Sequence, residues 1–170
     1  MPKRRTVADL WVVNSSPLIT LAKVEQLPLL TGHGRQLLIP EQVAGEVMAG
    51  LEDDPARLAL EGGFGAPLCP VSIDPEVLGW SLGAGESAVL SAARVLGATA
   101  ILDDGAARKA ARTLGIRLTG TLGLVIAGAK SGQVSSATQI IRELRAAGLR
   151  LDDRAITDAL ARFLGETWIP

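Results

Sequence analysis

We single out oxygen-bearing side chains at four separated places in this 170-residue chain, each near the start or end of a predicted strand or helix. They are Asn14, Glu46, Glu86 and the adjacent pair Asp103 and Asp104. Magnesium and manganese ions prefer such oxygen ligands, and they are commonly held by one or two carboxylates plus water. Carboxylates that gather in one place repel one another, and a bound cation relieves that repulsion. If the fold brings these places together, their chemistry is that of a divalent metal site.

The residue inventory argues against several other kinds of site. The single histidine, His33, lies between two glycines in a predicted loop, which disfavours Ser-His-Asp chemistry and a histidine-rich metal site. The single cysteine, Cys69, can form no disulfide within the chain, so a reducing cytoplasm is the expected location. A dinucleotide-binding fold would need G-x-G-x-x-G after the first strand, and the G-A-G-E at 83–86 is neither that motif nor in that place.

The overall composition limits how the chain could bind nucleic acid. Its formal net charge is −1, so it carries no general electrostatic footprint for nucleic acid, and any such binding must be local. Aromatic residues make up 3% of the chain, which argues against base recognition by an aromatic stacking platform. No apolar run approaches the ~20 residues that a membrane helix needs. We therefore expect a protein that does not enter a membrane.

Two of the polar positions follow predicted strands. W-V-V at 11–13 is a β-prone run, and Asn14 lies between it and a helix for which Ser16 is the expected N-cap and Pro17 the first residue. A-T-A-I-L at 98–102 is apolar throughout, which is typical of a strand buried on both faces of a parallel sheet. Asp103 and Asp104 follow this strand, although one of them could simply cap the next helix. The carboxyl ends of such strands are where ligands bind in α/β proteins.

The two glutamates lie on predicted helices. Glu46 is in a helix over 41–48, beside an apolar stripe that continues to Leu51, and an ordinary solvated glutamate is the alternative interpretation. Glu86 lies in the first turn of a helix whose buried face runs to Leu96. The alternative is that its charge only interacts with the helix dipole, which is worth ~0.3 to 1 kcal/mol. Spacing alone does not separate these structural roles from metal binding.

Strand and helix patterns alternate along the chain, which predicts a three-layer α/β/α sandwich with a mainly parallel central sheet. No linker is visible, so we expect one domain over 1–170, with C-terminal helices at 135–165 packed on the core. The apolar residues of those helices, including Ile156, Leu160 and Phe163, are expected to be buried. The basic start is interrupted by Asp9 and Asn14, which predicts no signal peptide.

Five segments together resemble the PIN domain family, which includes the VapC-type toxins. They are V-V-N-S-S-P-L-I-T-L-A-K at 12–23, I-P-E-Q-V-A-G-E-V at 39–47, G-A-G-E-S-A-V-L-S-A-A at 83–93, A-I-L-D-D-G-A-A-R-K-A-A-R at 100–112 and T-G-T-L-G-L-V-I-A-G-A-K-S-G at 119–132. The last of these is more similar to another prokaryotic branch of PIN-like proteins than to the well-studied toxins. The resemblance runs from about residue 12 to residue 166 and implies a PIN-like fold.

The resemblance also implies a set of functional residues. The four acids of the family fall on Asn14, Glu46, Glu86 and Asp104, and Asp103 replaces Asp104 if the register differs by one residue. The family's usual first acid is Asp, whereas Asn14 can offer a carbonyl oxygen but no charge. In this scheme Mg²⁺ or Mn²⁺ is held by Glu46, Glu86 and Asp104 or Asp103, and it activates water to cleave RNA.

Other implied features concern substrate and partners. The candidate substrate-binding residues are Ser16, Arg108, Lys109, Arg112 and Thr119. Arg108 and Arg112 share one face of a helix and could contact RNA phosphates, or they could form an ordinary solvated face. The family resemblance implies a homodimer and, for a toxin, a small antitoxin partner. The alternative function is a catalytically weak or inactive PIN-like module that binds nucleic acid or protein.

Overall fold

The computed structural model describes residues 10–170, and its centre is a four-stranded parallel sheet. The strands are β1 (Leu10–Val13), β2 (Gln36–Leu38), β3 (Thr99–Ile101) and β4 (Leu118–Thr119). Their order across the sheet is β2-β1-β3-β4, and all three pairings are parallel. The predicted α/β fold with a mainly parallel sheet is therefore confirmed, with β1 and β3 in the middle.

Ten helices accompany the sheet in residues 10–170. They are α1 (Ser15–Lys23), α2 (Pro28–Thr31), α3 (Glu41–Met48), α4 (Pro55–Glu61), α5 (Pro75–Leu78), α6 (Ala84–Leu96), α7 (Gly105–Thr113), α8 (Thr121–Lys130), α9 (Ala137–Ala146) and α10 (Asp153–Leu164). Two of the longest, α6 and α10, end at glycines in the left-handed conformation, Gly97 and Gly165. Helix α8 packs against both α9 and α10. None of the helices described is long and apolar enough to cross a membrane.

The core lies around the two middle strands. Val12 and Val13 of β1 and Ala100 and Ile101 of β3 are completely buried, as expected for strands covered on both faces. Helix α6 packs against both strands, and its small buried side chains permit that close approach. This arrangement carries the start of α6, and with it Glu86, to the carboxyl end of β1.

The structure corrects several boundaries. Helix α1 begins at Ser15 with Asn14 as its N-cap, so the predicted cap at Ser16 is wrong by two residues. The segment 68–73 forms a single parallel bridge, between Cys69 and Pro40. The connection between this segment and α6 contains α5, whose first turn is capped by the side chain of Asp74. A four-residue helix is too short to leave a periodic apolar pattern.

Three side chains that we expected to be buried are exposed. Leu51 is 77% exposed because α3 ends at Met48, before the apolar stripe reaches it. Leu96 is the last residue of α6 and is 41% exposed. Phe163, near the end of α10, is 47% exposed. Residues 1–9, for which we predict no signal peptide, lie outside the described residues.

Candidate active site

Asn14 lies where β1 gives way to α1. Its backbone N–H donates to the carbonyl oxygen of Ile101 at 3.1 Å, which extends the pairing of β1 with β3 by one residue. The residue is 1% exposed. Its side-chain Nδ2 lies 3.5 Å from Oε1 of Glu86, to which it donates a long hydrogen bond. The end of β1 is thus linked directly to the first turn of α6.

Glu46 is held from two sides at the same edge of the sheet. The hydroxyl of Ser15 donates to its Oε2 at 2.6 Å, and the backbone N–H of Gly85 donates to its Oε1 at 2.8 Å. A Cβ atom at position 85 would lie 2.5 Å from Oε2, so only glycine leaves room for this carboxylate. Helices α1, α3 and α6 therefore converge on one glutamate.

We call Asn14, Ser15, Glu46 and Glu86 the acid cluster. Ser15 joins its two halves, because its hydroxyl lies 3.5 Å from Asn14 Oδ1 as well as 2.6 Å from Glu46. Glu86 lies over the start of α6, where a Cβ at Gly83 would be 2.5 Å from its Oε2. Negative charge is favourable at the N-terminus of a helix. The structure thus brings together three of the four positions that the resemblance selected.

The two aspartates after β3 are turned towards helix N-termini. Asp104 is the N-cap of α7, and its Oδ2 accepts from the backbone N–H of Ala107 at 2.9 Å. Both carboxylate oxygens of Asp103 accept from Thr121, one from the backbone N–H at 2.8 Å and one from the hydroxyl at 2.5 Å. Asp103 therefore ties the end of β3 to the start of α8.

Within residues 10–170, no three Asp, Glu, His or Cys side chains are grouped closely enough to hold a metal ion. Glu46 and Glu86 consequently do not form a three-carboxylate group with either aspartate. The acid cluster offers two carboxylates and one amide oxygen. Magnesium and manganese fit such a set of oxygen donors, since they are often held by one or two carboxylates and keep several waters.

The basic residues of α7 differ in how firmly they are held. Arg108 donates from Nη1 to the carbonyl oxygen of Leu102 at 3.0 Å, which holds its guanidinium at the end of β3. Burial lowers the pKa of Arg108, Arg112 acts in the same direction, and Asp103 opposes both. A guanidinium remains charged under these conditions. Lys109 and Arg112 are exposed on α7. Arg108 is the basic residue placed at the edge of the sheet.

The other two candidate substrate contacts are not part of the acid cluster. Ser16 is exposed on the first turn of α1. Thr119 is the last residue of β4, and its hydroxyl donates to the carbonyl oxygen of Gly120 at 3.4 Å. It lines a cavity together with Asp103 and Arg108.

A comparison with protein families identifies the fold. A family model described as the PIN domain matches residues 10–164. The chain belongs to the PIN domain family. The match includes all four strands and the whole acid cluster. PIN domains are generally nucleases, so the fold is of a nuclease type. No curated protein and no solved structure gave a match.

The structure of this PIN domain adds three residues that sequence reasoning did not select as functional. Ser15 was overlooked because the helix was expected to start two residues later, which pointed to Ser16 as the relevant hydroxyl. Gly85 carried a usable signal, since glycine is a poor helix former and yet lies in the first turn of α6. Thr121 contacts Asp103 across 18 residues, and no local pattern could have paired them.

Proposed function

We propose that this PIN domain is a metal-dependent endoribonuclease whose active site is the acid cluster. The observation that carries the proposal is the hydrogen-bonded connection of Asn14, Ser15, Glu46 and Glu86 at the carboxyl end of β1. Carboxylates kept together at the functional edge of a parallel sheet, in a family of nucleases, are best explained by a bound cation.

Glu46 and Glu86 would hold Mg²⁺ or Mn²⁺, with Asn14 offering its neutral Oδ1 and Asp104 acting through water. Such an ion, when bound, lowers the pKa of a bound water and stabilises charge on a phosphate. Ser15 and Gly85 orient the Glu46 carboxylate, and the Asn14 amide orients Glu86. Arg108, fixed by the Leu102 carbonyl, would contact a phosphate of the RNA.

Toxin activity, control by a small antitoxin and assembly as a homodimer are finer parts of the same proposal. Support for an interface comes from apolar side chains that remain exposed at the end of α3 and on α4. These are Met48, Leu51 and Leu58. A second copy of the chain would remove this apolar surface from water, and the molar mass in solution tests that part of the proposal.

A second candidate is a PIN-like binding module with a weak or inactive nuclease site. Two observations favour it. Asn14 brings no charge to the acid cluster, and both oxygens of Asp103 and one oxygen of Asp104 already accept bonds at helix N-termini. The distinction between the two candidates is therefore the ability to bind a divalent ion.

Titration calorimetry with Mn²⁺ separates the two candidates. We would compare the wild type with Glu86→Gln and Asp104→Asn, which remove charge but keep side-chain size. Asn remains a good N-cap, so Asp104→Asn should not unfold α7. Glu52→Gln, at an exposed acid outside the cluster, is the matched control.

The nuclease proposal expects near-stoichiometric Mn²⁺ binding by the wild type and by Glu52→Gln, and loss of binding in Glu86→Gln and in Asp104→Asn. A folded wild type that binds no Mn²⁺ at millimolar concentration would remove the chemical basis of the proposal. The binding-module candidate would then replace it.

A further inference from the structure

A cavity of about 640 Å³ lies between α8 and α10 at the end of β4. Its volume is within the range of about 300–1,000 Å³ that is usual for ligand pockets. Asp103, Arg108 and Thr119 contribute to its wall from the edge of the sheet. The cavity is therefore lined by the residue that precedes Asp104 in sequence, and the proposed function gives Asp104 a role towards the metal through water.

An aromatic side chain is left half exposed in the cavity wall. Phe163 of α10 is 47% exposed, although the helix periodicity predicts burial. Leu122 and Ile126 of α8 supply further apolar surface to the cavity. The chain has only two Phe, three Trp and no Tyr, so Phe163 is one of few aromatic side chains. Composition argues against a platform of several aromatics but leaves room for a single stacking contact.

Cations surround this apolar wall. Arg108, Lys130 and Arg150 line the cavity. Two cations lie over the Phe163 ring, with Lys130 Nζ 5.6 Å and the guanidinium carbon of Arg162 5.2 Å from its centre. The lining acids are Asp103 and Asp152. Both oxygens of Asp103 already accept hydrogen bonds from Thr121, so that carboxylate has less capacity to neutralise a nearby cation. The charge distribution suits an anionic ligand with an apolar face.

We propose that the cavity binds one unstacked nucleotide of a single-stranded RNA, beside the phosphate that is cleaved. Its base would pack on Phe163, and its phosphates would contact Lys130 and Arg150. Unstacked bases are available in single strands, and every base has a face that can stack on an aromatic ring. This inference rests on the proposed function, because it names where the substrate of that site lies.

RNA binding measured without metal tests the cavity independently of catalysis. We would follow the fluorescence anisotropy of a short labelled oligouridine in EDTA, over a series of salt concentrations. The cavity variants are Phe163→Leu, Lys130→Gln and Arg150→Gln. The matched control is Arg154→Gln, which removes an exposed cation of α10 that does not line the cavity. Circular dichroism would establish that each variant is folded.

The ring and the cations should leave different signatures. Phe163→Leu keeps the apolar character but loses the flat face, so binding should weaken by roughly 5- to 150-fold with an unchanged salt slope. Lys130→Gln and Arg150→Gln should each reduce the slope of log K against log salt by about 0.7, the value per phosphate for single strands. Arg154→Gln should bind as the wild type does.

Three results would overturn the inference. The first is a folded wild type that binds no oligouridine, and the second is an Arg154→Gln variant as impaired as the cavity variants. The third is wild-type RNA binding by Phe163→Leu, which would point to an apolar surface for a protein segment instead. Failure of the proposed function would be seen separately, as a wild type that binds RNA through the cavity but does not bind Mn²⁺.

Discussion

At the scale of single residues, Asn14 shows how an amide is accommodated among acids. Its NH₂ group faces Oε1 of Glu86 at 3.5 Å, and it is almost completely buried. A carboxylate in this position would place a second negative charge against Glu86, at a cost that a bound cation would relieve. The amide is therefore compatible with a folded protein whether or not metal is bound.

Asn14→Asp should make the stability of the protein depend on metal. In EDTA we expect the free energy of unfolding to fall by about 1–3 kcal/mol or more, because the donor to Glu86 is replaced by a like charge. For a chain of this size that lowers Tm by roughly 2–4 °C per kcal/mol. Added Mn²⁺ should raise the Tm of the variant more than that of the wild type. Calorimetric melts with and without Mn²⁺ measure both effects.

The matched control for this change is Gln133→Glu, which introduces the same charge at an exposed amide. It should melt close to the wild type under both conditions. An Asn14→Asp variant that melts like the wild type in EDTA and ignores Mn²⁺ would show that position 14 is not coupled to a cation site.

Residue types and order were sufficient to select Asn14, Glu46 and Glu86, and the structure brings them together. The functional hydroxyl was expected at Ser16 and is instead that of Ser15, because both serines are equally good residues for starting a helix. The orientation of Asp103 could not be predicted, since it depends on Thr121 in another strand-helix turn. Local sequence pattern identifies the oxygen-bearing residues of a site better than it identifies the residues that hydrogen-bond to them.

At the scale of elements, the start of α6 shapes the acid cluster through the absence of a side chain. The Gly85 N–H reaches Glu46 only because nothing projects from position 85 towards α3. The atoms that a new Cβ would meet belong to the end of a flexible side chain. A methyl group there should move the carboxylate without unfolding the helix.

Gly85→Ala should therefore separate stability from metal binding. Alanine favours a helix over glycine by up to about 1 kcal/mol, so Tm should not fall appreciably. Displacement of Glu46 should weaken Mn²⁺ binding by about 10-fold or more, as for the loss of other groups that orient metal ligands. Thermal melts and calorimetric titration of the same sample measure the two quantities.

Gly45→Ala makes the same substitution in α3, where an added Cβ would meet no atom within 4 Å. It should gain helix stability and retain Mn²⁺ affinity. Equal affinities in the two alanine variants would mean that Gly85 does not position Glu46.

Long periodic elements were predicted well, and α3 has the predicted bounds. Errors are concentrated where an element is short or where a pattern was extended too far. Helix α5 has four residues, and the stripe through Val43 and Val47 was continued to Leu51 beyond the end of its helix. Periodicity describes a helix face but carries little information on where the backbone leaves it.

At the scale of the whole molecule, the C-terminal tail is fastened to the last two helices. The indole of buried Trp168 donates to Asp153 Oδ1 at 2.9 Å, and the guanidinium of Arg145 donates to the same atom at 2.6 Å. Arg142 lies 4.7 Å from the Trp168 ring and also donates to the carbonyl oxygen of Ile169. One carboxylate thus holds the tail between α9 and α10.

This attachment should weaken in acid. The hydrogen bond from Trp168 and that from Arg145 lower the pKa of Asp153 below its ordinary value of 3.8. A lowered pKa stabilises the folded state above the ordinary value, and that contribution is lost as the pH falls through the folded-state pKa. We expect the indole N–H resonance of Trp168 in NMR spectra to shift with a midpoint below pH 3.8.

Asp153→Asn is the control, and it should abolish this acid transition while leaving the Trp11 and Trp80 resonances in place. A wild-type midpoint at or above the ordinary carboxyl pKa would contradict the role assigned to Asp153.

The alternation of elements was enough to predict the fold class of the whole molecule. The cavity beside Phe163 was not predictable, because it arises from how α8 and α10 pack rather than from either helix alone.

The pairing of the two middle strands has a consequence for biosynthesis. Trp11 of β1 lies beside Thr99 of β3, and everything from α1 to α6 is synthesised between them. A ribosome that adds about 5–20 residues per second needs several seconds to cover that distance. During this interval one side of β1 has no partner, so the half-made chain exposes an apolar strand edge. Such edges are the surfaces that chaperones must shield to prevent aggregation.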